Sequence, residues 1–533
     1  MKRFGVMLDM SRNAVMKVEE VKKMANILHS FGYNMLMLYT EDTYEVENEP
    51  YFGYMRGRYT QAELKEVVAY CQNLGMEVIP CIQTLAHLNQ IFRWQVYSPI
   101  RDCDDILLVG EERTYELIEN MFKTVKSCFS SEYIHIGMDE AHNVGLGEYL
   151  SRNGYEHRSS ILQKHLKRVV EIANKYDLKP LIWSDMFYKL ATKGWYYAPN
   201  AELTEEIKAL VPKEVSLVYW DYYNTEKSTF DRLITSHQEF NNEIWFAGGA
   251  WTWEGFAPHN AYTLKTMSPA MLSAKEHGVK NIIITSWGDN GKECSFYSVL
   301  PSLYTVRRLY NGETDMTKIK AEFFALTGEN YDALFALDLP NCLGNNSGTE
   351  NPCKHMLFSD PFNGFIDSTV KEGVAEEYEK HAKTLWKYAQ GSKYAYLFES
   401  ASALCELMSV KYSLGADTRI FYQNKDIENL ILLIEKYKRC EELLEKFYLA
   451  FRKLWYKENK PHGFDAQDLR LGGLARRLRS CRERLEGYVL GKEKTIPELE
   501  EKLLDFYGGG EKFDKEKTPT YNTWATNVSV NII

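Results

Sequence analysis

This sequence has no long hydrophobic stretch, and its first residues do not show the pattern of a secretory leader. No apolar run approaches the roughly 20 residues that a bilayer-spanning helix needs. Residues 1–9, MKRFGVMLD, place charges directly around a short strand-like pattern. Because this segment has no apolar core followed by a small-residue cleavage site, we expect no signal peptide.

Paired cysteines are also missing. The ten cysteines are scattered, and no Cys-x-x-Cys pair occurs among them. Several of them, such as Cys71 and Cys81, fall inside predicted helices or strands. This usage is typical of reduced, buried thiols. Together with the expected lack of a signal peptide, it predicts a cytoplasmic protein.

The chain has no excess of positive charge. It carries 64 Lys and Arg against 74 Asp and Glu, a formal net charge of −10. This balance argues against a nucleic-acid or anionic-membrane partner. Apolar residues make up 45% and charged residues 26%, which is ordinary for soluble globular proteins. At 533 residues, the chain should form more than one domain.

The most informative stretch is residues 133–142, YIHIGMDEAH. Tyr133, Ile134 and Ile136 favour a strand that is buried on both faces. Glycine 137 breaks that strand, and two acids, Asp139 and Glu140, follow it. Neighbouring strand residues point to opposite faces, so both acids can serve one site only where the strand ends. Two other interpretations stay open. The acids could begin a helix, or they could ligate a cation together with His142.

Short apolar runs alternate with amphipathic patterns over the first 312 residues. The patterns predict eight strands at residues 4–8, 35–39, 78–82, 133–136, 180–183, 215–220, 243–247 and 281–285. Helices are predicted between them at residues 17–31, 60–74, 111–128, 159–176, 270–277 and 298–310. Eight such repeats predict an α/β fold, a (β/α)8 TIM barrel over residues 1–312. The rival, a doubly wound open sheet, lacks its Gly-rich turn after the first strand.

The rhythm changes after residue 312. Long helical patterns without intervening strands cover residues 371–389, 394–414, 425–455 and 465–490. We therefore predict an all-α C-terminal domain over residues 313–533. Residues 339–361 are predicted to form a long polar connection, and residues 524–533 an extended tail.

The run from His135 to Glu140, HIGMDE, resembles the His-x-Gly-x-Asp-Glu signature of family 20 glycoside hydrolases, the β-N-acetylhexosaminidases. The resemblance covers about the first 310 residues, and the helical C-terminal region is similar to a compact bacterial type. It implies an exo-acting, retaining enzyme that removes terminal β-linked GlcNAc or GalNAc from oligosaccharides or glycoconjugates. The substrate's acetamido oxygen would attack and form an oxazolinium intermediate. No cofactor and no metal are implied.

The resemblance also assigns roles to single residues. Glu140 matches the general acid/base, and Asp139 the acid that orients the acetamido group. Tyr219 matches a tyrosine whose hydroxyl contacts the acetamido carbonyl. The remaining matches are substrate-binding or wall residues: Glu41 or Asp42 together with His87, then Trp183, Asp221, Trp253, Trp287 and Asp289. The family often has an arginine before the glycine of the first strand, where this chain has Phe4; Arg3 is one step out of register, and Asp9 or Arg12 could substitute.

Other interpretations of these residues remain. The tryptophans, Tyr219 and His87 could each be ordinary core residues. The protein could be another TIM-barrel retaining glycosidase with a carboxylate nucleophile, or a sugar-binding barrel without catalysis. The helical region has more apolar faces than one layer against a barrel needs, which predicts a homodimer.

Overall fold

The computed structural model describes residues 2–192, 194–198, 202–343, 348–506, 508, 524–525 and 528–529. The chain divides into two compact units. The first comprises Met1–Ala250, Thr263–Gly288 and Ser302–Thr327. The second comprises Trp251–Tyr262, Asp289–Pro301 and Gly328–Ile533. The segments after the seventh and eighth strands therefore belong to the second unit, whereas the predicted division at residue 312 stays a prediction.

The first unit is a closed barrel of eight parallel strands in sequence order, which confirms the predicted fold. The strands are β1 Arg3–Asp9, β2 Met35–Tyr39, β3 Glu77–Cys81, β4 Tyr133–His135, β5 Lys179–Trp183, β6 Ser216–Trp220, β7 Ile244–Gly249 and β8 Asn281–Ser286. Strand β1 closes the ring by pairing with β2 on one side and β8 on the other. All eight carboxyl ends consequently meet at one rim, where barrel active sites lie.

Helices surround the barrel. They are α1 Val18–Ser30, α2 Gln61–Asn73, α3 Glu112–Cys128, α4 Glu148–Asn153, α5 Arg158–Lys175, α6 Asp185–Ala191, α7 Glu205–Lys208, α8 Lys227–Gln238, α9 Asn260–Glu276, α10 Leu300–Asn311 and α11 Met316–Thr327. Helix α2 begins with the capping box that the sequence predicts, Thr60 and Glu63 exchanging hydrogen bonds. Helix α9 begins ten residues before the predicted start, because it continues through Pro269.

Alternate residues of the strands fill the barrel interior. This inner face consists of Met7, Met35, Met37, Tyr39, Ile79, Cys81, Tyr133, Leu181, Trp183, Val218, Trp245, Ala247 and Ile283. Trp220 and Trp287 pack against the same cluster and are partly buried. Since strand neighbours alternate, the residues between these positions face the surrounding helices.

The second unit contains eight α-helices among its described residues after position 328. They are α12 Tyr331–Phe335, α13 Pro352–Phe358, α14 Val374–Ala389, α15 Ala395–Lys411, α16 Leu414–Gln423, α17 Ile427–Glu458, α18 Phe464–Val489 and α19 Pro497–Glu500. The prediction of a polar connection at 339–361 is wrong in part, because every residue of α13 is buried. Asn351 caps this helix by accepting a hydrogen bond from the Lys354 backbone. The predicted tail lies largely outside the described residues, and no described helix combines the length and apolarity needed to cross a membrane.

Candidate active site

The chain leaves β4 through a turn with unusual backbone angles. Gly137, Met138 and Glu140 have φ values of 71°, 69° and 53°, all in the left-handed region. For Met138 and Glu140 this conformation costs on the order of 1 kcal/mol or more each. A Cβ atom at Gly137 would lie 2.0 Å from Oε1 of Gln83, so only glycine fits there. Gly137, which ends the strand in the sequence motif, is therefore required because the Gln83 side chain lies so close to it.

Gln83, which follows β3, fastens this turn. Its Oε1 accepts a hydrogen bond from the Met138 backbone at 3.1 Å. Its Nε2 donates to Oδ1 of Asp139 at 2.7 Å and to the Tyr39 hydroxyl at 3.0 Å. Sequence reasoning missed this residue as a site residue. Its position at the end of a predicted strand was the available signal.

Asp139 and His87 form an ion pair. Nε2 of His87 lies 3.2 Å from Oδ2 of Asp139 and 3.8 Å from Oε2 of Glu140. Burial alone would lower the pKa of His87, but the Asp139 carboxylate outweighs burial and raises that pKa to about 10. Burial alone would raise the pKa of Asp139, but His87 and the Gln83 hydrogen bond lower it to about 2. At neutral pH the pair is therefore imidazolium and carboxylate.

Glu140 has a different environment from its neighbour. Its side chain keeps 46% of its surface exposed. Its pKa is raised, first by partial desolvation and then by the negative charges of Asp139 and Asp185. The backbone N–H of Glu140 donates to Oδ2 of Asp185 at 3.1 Å, and Lys189 forms an ion pair with that carboxylate at 2.9 Å. Asp185, which the site prediction omitted, thus holds the backbone of Glu140.

His135 is a second residue of the motif with a definite protonation state. Burial lowers the pKa of His135 to about 3, so its ring is neutral. Nδ1 accepts a hydrogen bond from the Gly137 backbone at 3.1 Å, so the proton is on Nε2. That Nε2 and the indole N–H of Trp183 are buried without a hydrogen-bond partner in the described protein. The two rings lie 4.2 Å apart.

Of the two candidate acids after β2, Glu41 is the one that lies in the site. It accepts a hydrogen bond from the Tyr39 hydroxyl at 2.9 Å and forms an ion pair with Arg12 at 3.1 Å. Arg12 also approaches Asp9, at 3.9 Å. Asp42 instead pairs with Arg56, at 3.3 Å, in the loop that follows.

Arg3, which is one step out of register with the arginine of the family pattern, lies away from the candidate site. Arg3 pairs with Glu77 at 2.6 Å, at the amino ends of β1 and β3 and so at the opposite end of the barrel. Arg12 therefore supplies the cation near the carboxyl end of β1.

Trp287 and Trp183 lie together at the carboxyl ends of β8 and β5. Their ring centroids are 6.0 Å apart, and Trp287 meets Tyr39 edge to face at 4.8 Å. Trp183 is buried within the inner face, whereas Trp287 is partly buried. Asp9 accepts a hydrogen bond from the Gly288 backbone at 2.9 Å, which fixes the chain after Trp287. These rings form an apolar floor beneath the acids.

Tyr219 and Asp221 lie at the carboxyl end of β6, as predicted, and they contact each other. Val218 belongs to the inner face, so Tyr219 points outwards and its ring stacks on His237 of α8 at 4.6 Å. Its hydroxyl donates to Asp221 at 2.6 Å, and the Asp221 carboxylate also accepts from Asn224 and two backbone N–H groups. Both residues are fully buried. The geometry gives them a role in holding the loop after β6, and the substrate contacts that the resemblance assigns to them stay predictions.

Two further predicted residues lie in the second unit. Trp253 is buried and stacks on Trp251 with 4.3 Å between ring centroids. Asp289 begins a short turn in which Asn290 has a φ of 59°. The roles that the resemblance gives Trp253 and Asp289 stay predictions.

The structure changes which residues could form the alternative metal site. Among the described residues, the three groups whose ligand atoms lie within 4.8 Å of one another are His87, Asp139 and Glu140. His142, which the sequence offered as a ligand, is not part of this group. At neutral pH His87 is protonated beside Asp139, so a metal ion would have to displace this proton before Nε2 could ligate it.

Replacing His87 with glutamine tests the ion pair. The raised pKa of His87 makes its contribution to stability complete below the unfolded value of 6.5, and that contribution is lost as the pH rises towards 10. The lowered pKa of Asp139 makes its contribution present above 3.8 and lost as the pH falls towards 2. We expect the gap in unfolding free energy between wild type and His87→Gln to be largest between pH 3.8 and 6.5.

Urea unfolding followed by tryptophan fluorescence at several pH values measures this gap. His29→Gln, on the exposed side of α1, is the control and should show no such pH dependence. A His87→Gln gap that stays constant as the pH rises to about 10 would contradict the ion pair.

Comparisons with known proteins agree with this architecture. Residues 3–239 match the model described as "Glycosyl hydrolase family 20, catalytic domain", and residues 330–517 match the "Glycoside Hydrolase 20C C-terminal domain". Hexosaminidase D of Homo sapiens is 25% identical over 220 residues, 40% of this chain and 43% of that protein. A probable beta-hexosaminidase of Arthroderma benhamiae is 24% identical over 278 residues, 44% of this chain and 42% of that protein. The chain thus spans less than half the length of these curated relatives.

Solved structures of similar fold include the GH20 exo beta-N-acetylglucosaminidase of Vibrio harveyi. Its TM-score is 0.47 at 15% identity, with 61% of this chain and 58% of that chain covered. The beta-N-acetylhexosaminidase of Bacteroides fragilis has a TM-score of 0.46 at 19% identity, covering 61% and 69%. The two models, for the catalytic and the C-terminal domain of this family, together cover most of the sequence. This chain belongs to glycoside hydrolase family 20.

Proposed function

We propose that this protein is an exo-acting, retaining β-N-acetylhexosaminidase that removes terminal β-linked GlcNAc or GalNAc by substrate-assisted catalysis. The observation that carries the proposal is the different environment of two adjacent acids: His87 and Gln83 hold Asp139 at 3.2 and 2.7 Å, whereas the Glu140 side chain is 46% exposed. Asp139 is held as a carboxylate, whereas the pKa of Glu140 is raised. One acid that stays charged and one that carries a proton are what this mechanism requires.

Asp139 serves the nucleophile, which is the acetamido oxygen of the substrate. That oxygen attacks C1 and closes a cyclic oxazolinium ion, and the bond from C1 to the leaving oxygen breaks. The Asp139 carboxylate accepts the acetamido N–H and stabilises the positive charge that develops on the ring. Gln83 and His87 hold one oxygen each, at 2.7 and 3.2 Å, so the carboxylate does not have to reorganise during the reaction.

Glu140 moves the proton. In the first step the protonated carboxyl gives its proton to the leaving oxygen, and in the second step the carboxylate takes one from water. Its raised pKa favours the acid form before cleavage. Its exposed side chain, 46% accessible, lets a leaving group depart and water enter. Asp185 fixes the Glu140 backbone and so keeps the carboxyl in place.

The apolar floor orients the sugar. Trp287 is partly buried and offers ring surface to the sugar, and the buried rings of Trp183 and Tyr39 support it from within the barrel. The buried N–H groups of Trp183 and His135 are free to bind an acceptor on the substrate. Arg12 and Glu41 offer a cation and a carboxylate for sugar hydroxyls at the adjacent rim.

A glycosidase with a protein carboxylate as nucleophile is the second candidate. It would use Asp139 or Glu140 to attack C1 directly. Both oxygens of Asp139 are already engaged, by Gln83 and His87, which reduces its nucleophilicity. Glu140 carries a raised pKa, which suits an acid and not a nucleophile. A sugar-binding barrel without catalysis would have no need for this division between two acids.

Assembly and location are the remaining parts of the proposal. The protein acts in the cytoplasm as a homodimer. All ten cysteines are unpaired, which suits a reducing compartment. The second unit exposes several large apolar side chains, which suits a protein interface: Ile420, Ile427, Ile431, Leu432 and Leu469.

A panel of 4-nitrophenyl β-glycosides tests the role of the acetamido group. We expect turnover of the N-acetylglucosaminide and N-acetylgalactosaminide, and essentially none of the glucoside and galactoside, because their 2-hydroxyl cannot replace the nucleophile. The loss should lie in kcat, since the missing interaction acts in the transition state. Proton NMR should find the β-anomer first. Equal activity on the glucoside, or an α-anomer as first product, would favour a different mechanism.

Two substitutions separate the roles of the acids. Asp139→Asn should lower kcat about 10²–10³-fold while substrate still binds, because a neutral amide cannot balance the oxazolinium charge. Glu140→Gln should reduce turnover of an oligosaccharide far more than that of a nitrophenyl glycoside, whose leaving group needs no proton. The control is Asp231→Asn, which removes one partner of the ion pair between Asp231 and Lys227 within α8. This variant should retain activity. An Asp139→Asn variant with unchanged kcat would exclude the assignment.

Multi-angle light scattering tests the dimer. We expect twice the chain mass of 62.0 kDa at micromolar concentration. Replacing Leu432 and Ile431 on α17 with lysine should shift the mass to that of one chain, because both side chains are exposed. A wild-type monomer under these conditions would contradict the prediction.

A further inference from the structure

Three aromatic side chains form a cluster at the rim that carries the candidate active site. Tyr51 and Tyr54 lie in the loop between β2 and α2, and Trp94 lies in the loop between β3 and α3. The ring centroids of Tyr51 and Tyr54 are 5.7 and 5.4 Å from that of Trp94 and 6.3 Å from each other. We call these three residues the aromatic rim.

The aromatic rim is open to solvent. Tyr51 and Tyr54 are 46% and 44% exposed, and Met55 and Val96 beside them are exposed as well. Within the described part of the chain, the two tyrosine hydroxyls and the Trp94 indole N–H have no hydrogen-bond partner. Contiguous exposed apolar surface with free polar groups marks a binding site more often than a structural core. Aromatic rings with a polar atom at the edge suit a ligand that is itself both apolar and polar.

The loop that carries the two tyrosines is rigidly held beside the site. The Arg56 guanidinium pairs with Asp42 at 3.3 Å and donates to Oδ1 of Asn13 at 2.8 Å. A Cβ atom on Gly53 would lie 2.0 Å from the backbone oxygen of Asp42, so the turn sits directly on that residue. Asp42 is the chain neighbour of Glu41, which lies in the site. The loop is therefore fixed to the same rim as the catalytic acids.

Trp94 is tied to the other side of the site by its own loop. This loop also carries Gln83 and His87, which hold Asp139. Tyr97, three residues after Trp94, donates to Glu49 at 3.0 Å and so joins the two loops. The rim thus connects to the catalytic network through both loops.

Resting on the proposed function, we propose that the aromatic rim binds the leaving-group saccharide, the sugar units that follow the scissile bond in an oligosaccharide. The apolar faces of pyranose rings pack on aromatic rings, and their hydroxyls reach the free Tyr51, Tyr54 and Trp94 polar atoms. Glu140, the proposed proton donor to the leaving oxygen, is the exposed one of the two acids. The natural substrate class is therefore an oligosaccharide with at least one further sugar beyond the terminal N-acetylhexosamine.

The test compares a long and a short substrate. The long one is the β-1,4-linked trimer of N-acetylglucosamine, and the short one is 4-nitrophenyl N-acetyl-β-glucosaminide, which has no leaving-group sugar. For Trp94→Ala we expect kcat/KM on the trimer to fall about tenfold, while kcat/KM on the nitrophenyl substrate changes less than about twofold. Tyr54→Ala, at an exposed position, should act in the same direction, and Trp94→Phe should recover most of the loss. Trp386→Ala, an exposed tryptophan of α14, is the control.

The outcomes separate this inference from the proposed function. If wild type cleaves the nitrophenyl substrate but the rim variants lose activity equally on both substrates, or on neither, the rim does not bind the leaving group. If wild type cleaves neither substrate, the proposed function fails. Calorimetry then tests whether the aromatic rim binds saccharide. A Kd for the trimer that is raised about tenfold in Trp94→Ala supports the inference, and an unchanged Kd overturns it. A Trp94→Ala variant that loses only its dimeric mass would make the rim a protein interface and overturn the inference.

Discussion

The ion pair between His87 and Asp139 is the interaction on which the candidate site depends. Two carboxylates one residue apart repel each other, and burial would favour the neutral form of both. The cation lies nearer to Asp139, at 3.2 Å, than to Glu140, at 3.8 Å, and so favours the charged form of Asp139 more. The Gln83 hydrogen bond to Asp139 adds to this difference. The pKa of Asp139 is therefore lowered, whereas burial and the neighbouring acids raise the pKa of Glu140.

The fold supplies that cation from a different strand. His87 comes from the loop after β3, and a φ of 58° and a hydrogen bond from its backbone to Asp105 at 2.9 Å fix its position. Gln83, from the same loop, reaches the turn after β4. Parallel pairing of β3 with β4 brings these two loops to one rim. The chemistry thus depends on strand order and register, and not on the catalytic motif alone.

The sequence predicted the repeated strands of the barrel, and it missed contacts between residues that are distant in the chain. All eight strands follow from local apolar patterns, and the motif located Asp139 and Glu140. The sequence does not show which residues of β6 face the barrel interior, because residues 217–220 are four apolar and aromatic residues in a row. Tyr219, to which the resemblance gives a substrate contact, stacks on His237 of α8. Gln83 and Asp185 follow closely on predicted strands, but their local sequence does not show what they bind, because their partners lie more than 40 positions away.

The strained turn explains how adjacent residues come to differ. On a regular strand, Asp139 and Glu140 would point to opposite faces of the sheet, one into the barrel and one towards the helices. Left-handed angles at Gly137, Met138 and Glu140 end the strand and change both directions. Asp139 turns to Gln83 and His87, while Glu140 turns to solvent with its backbone held by Asp185. At the conformational cost of this turn, two residues adjacent in sequence acquire different environments, one that lowers the pKa of Asp139 and one that raises the pKa of Glu140.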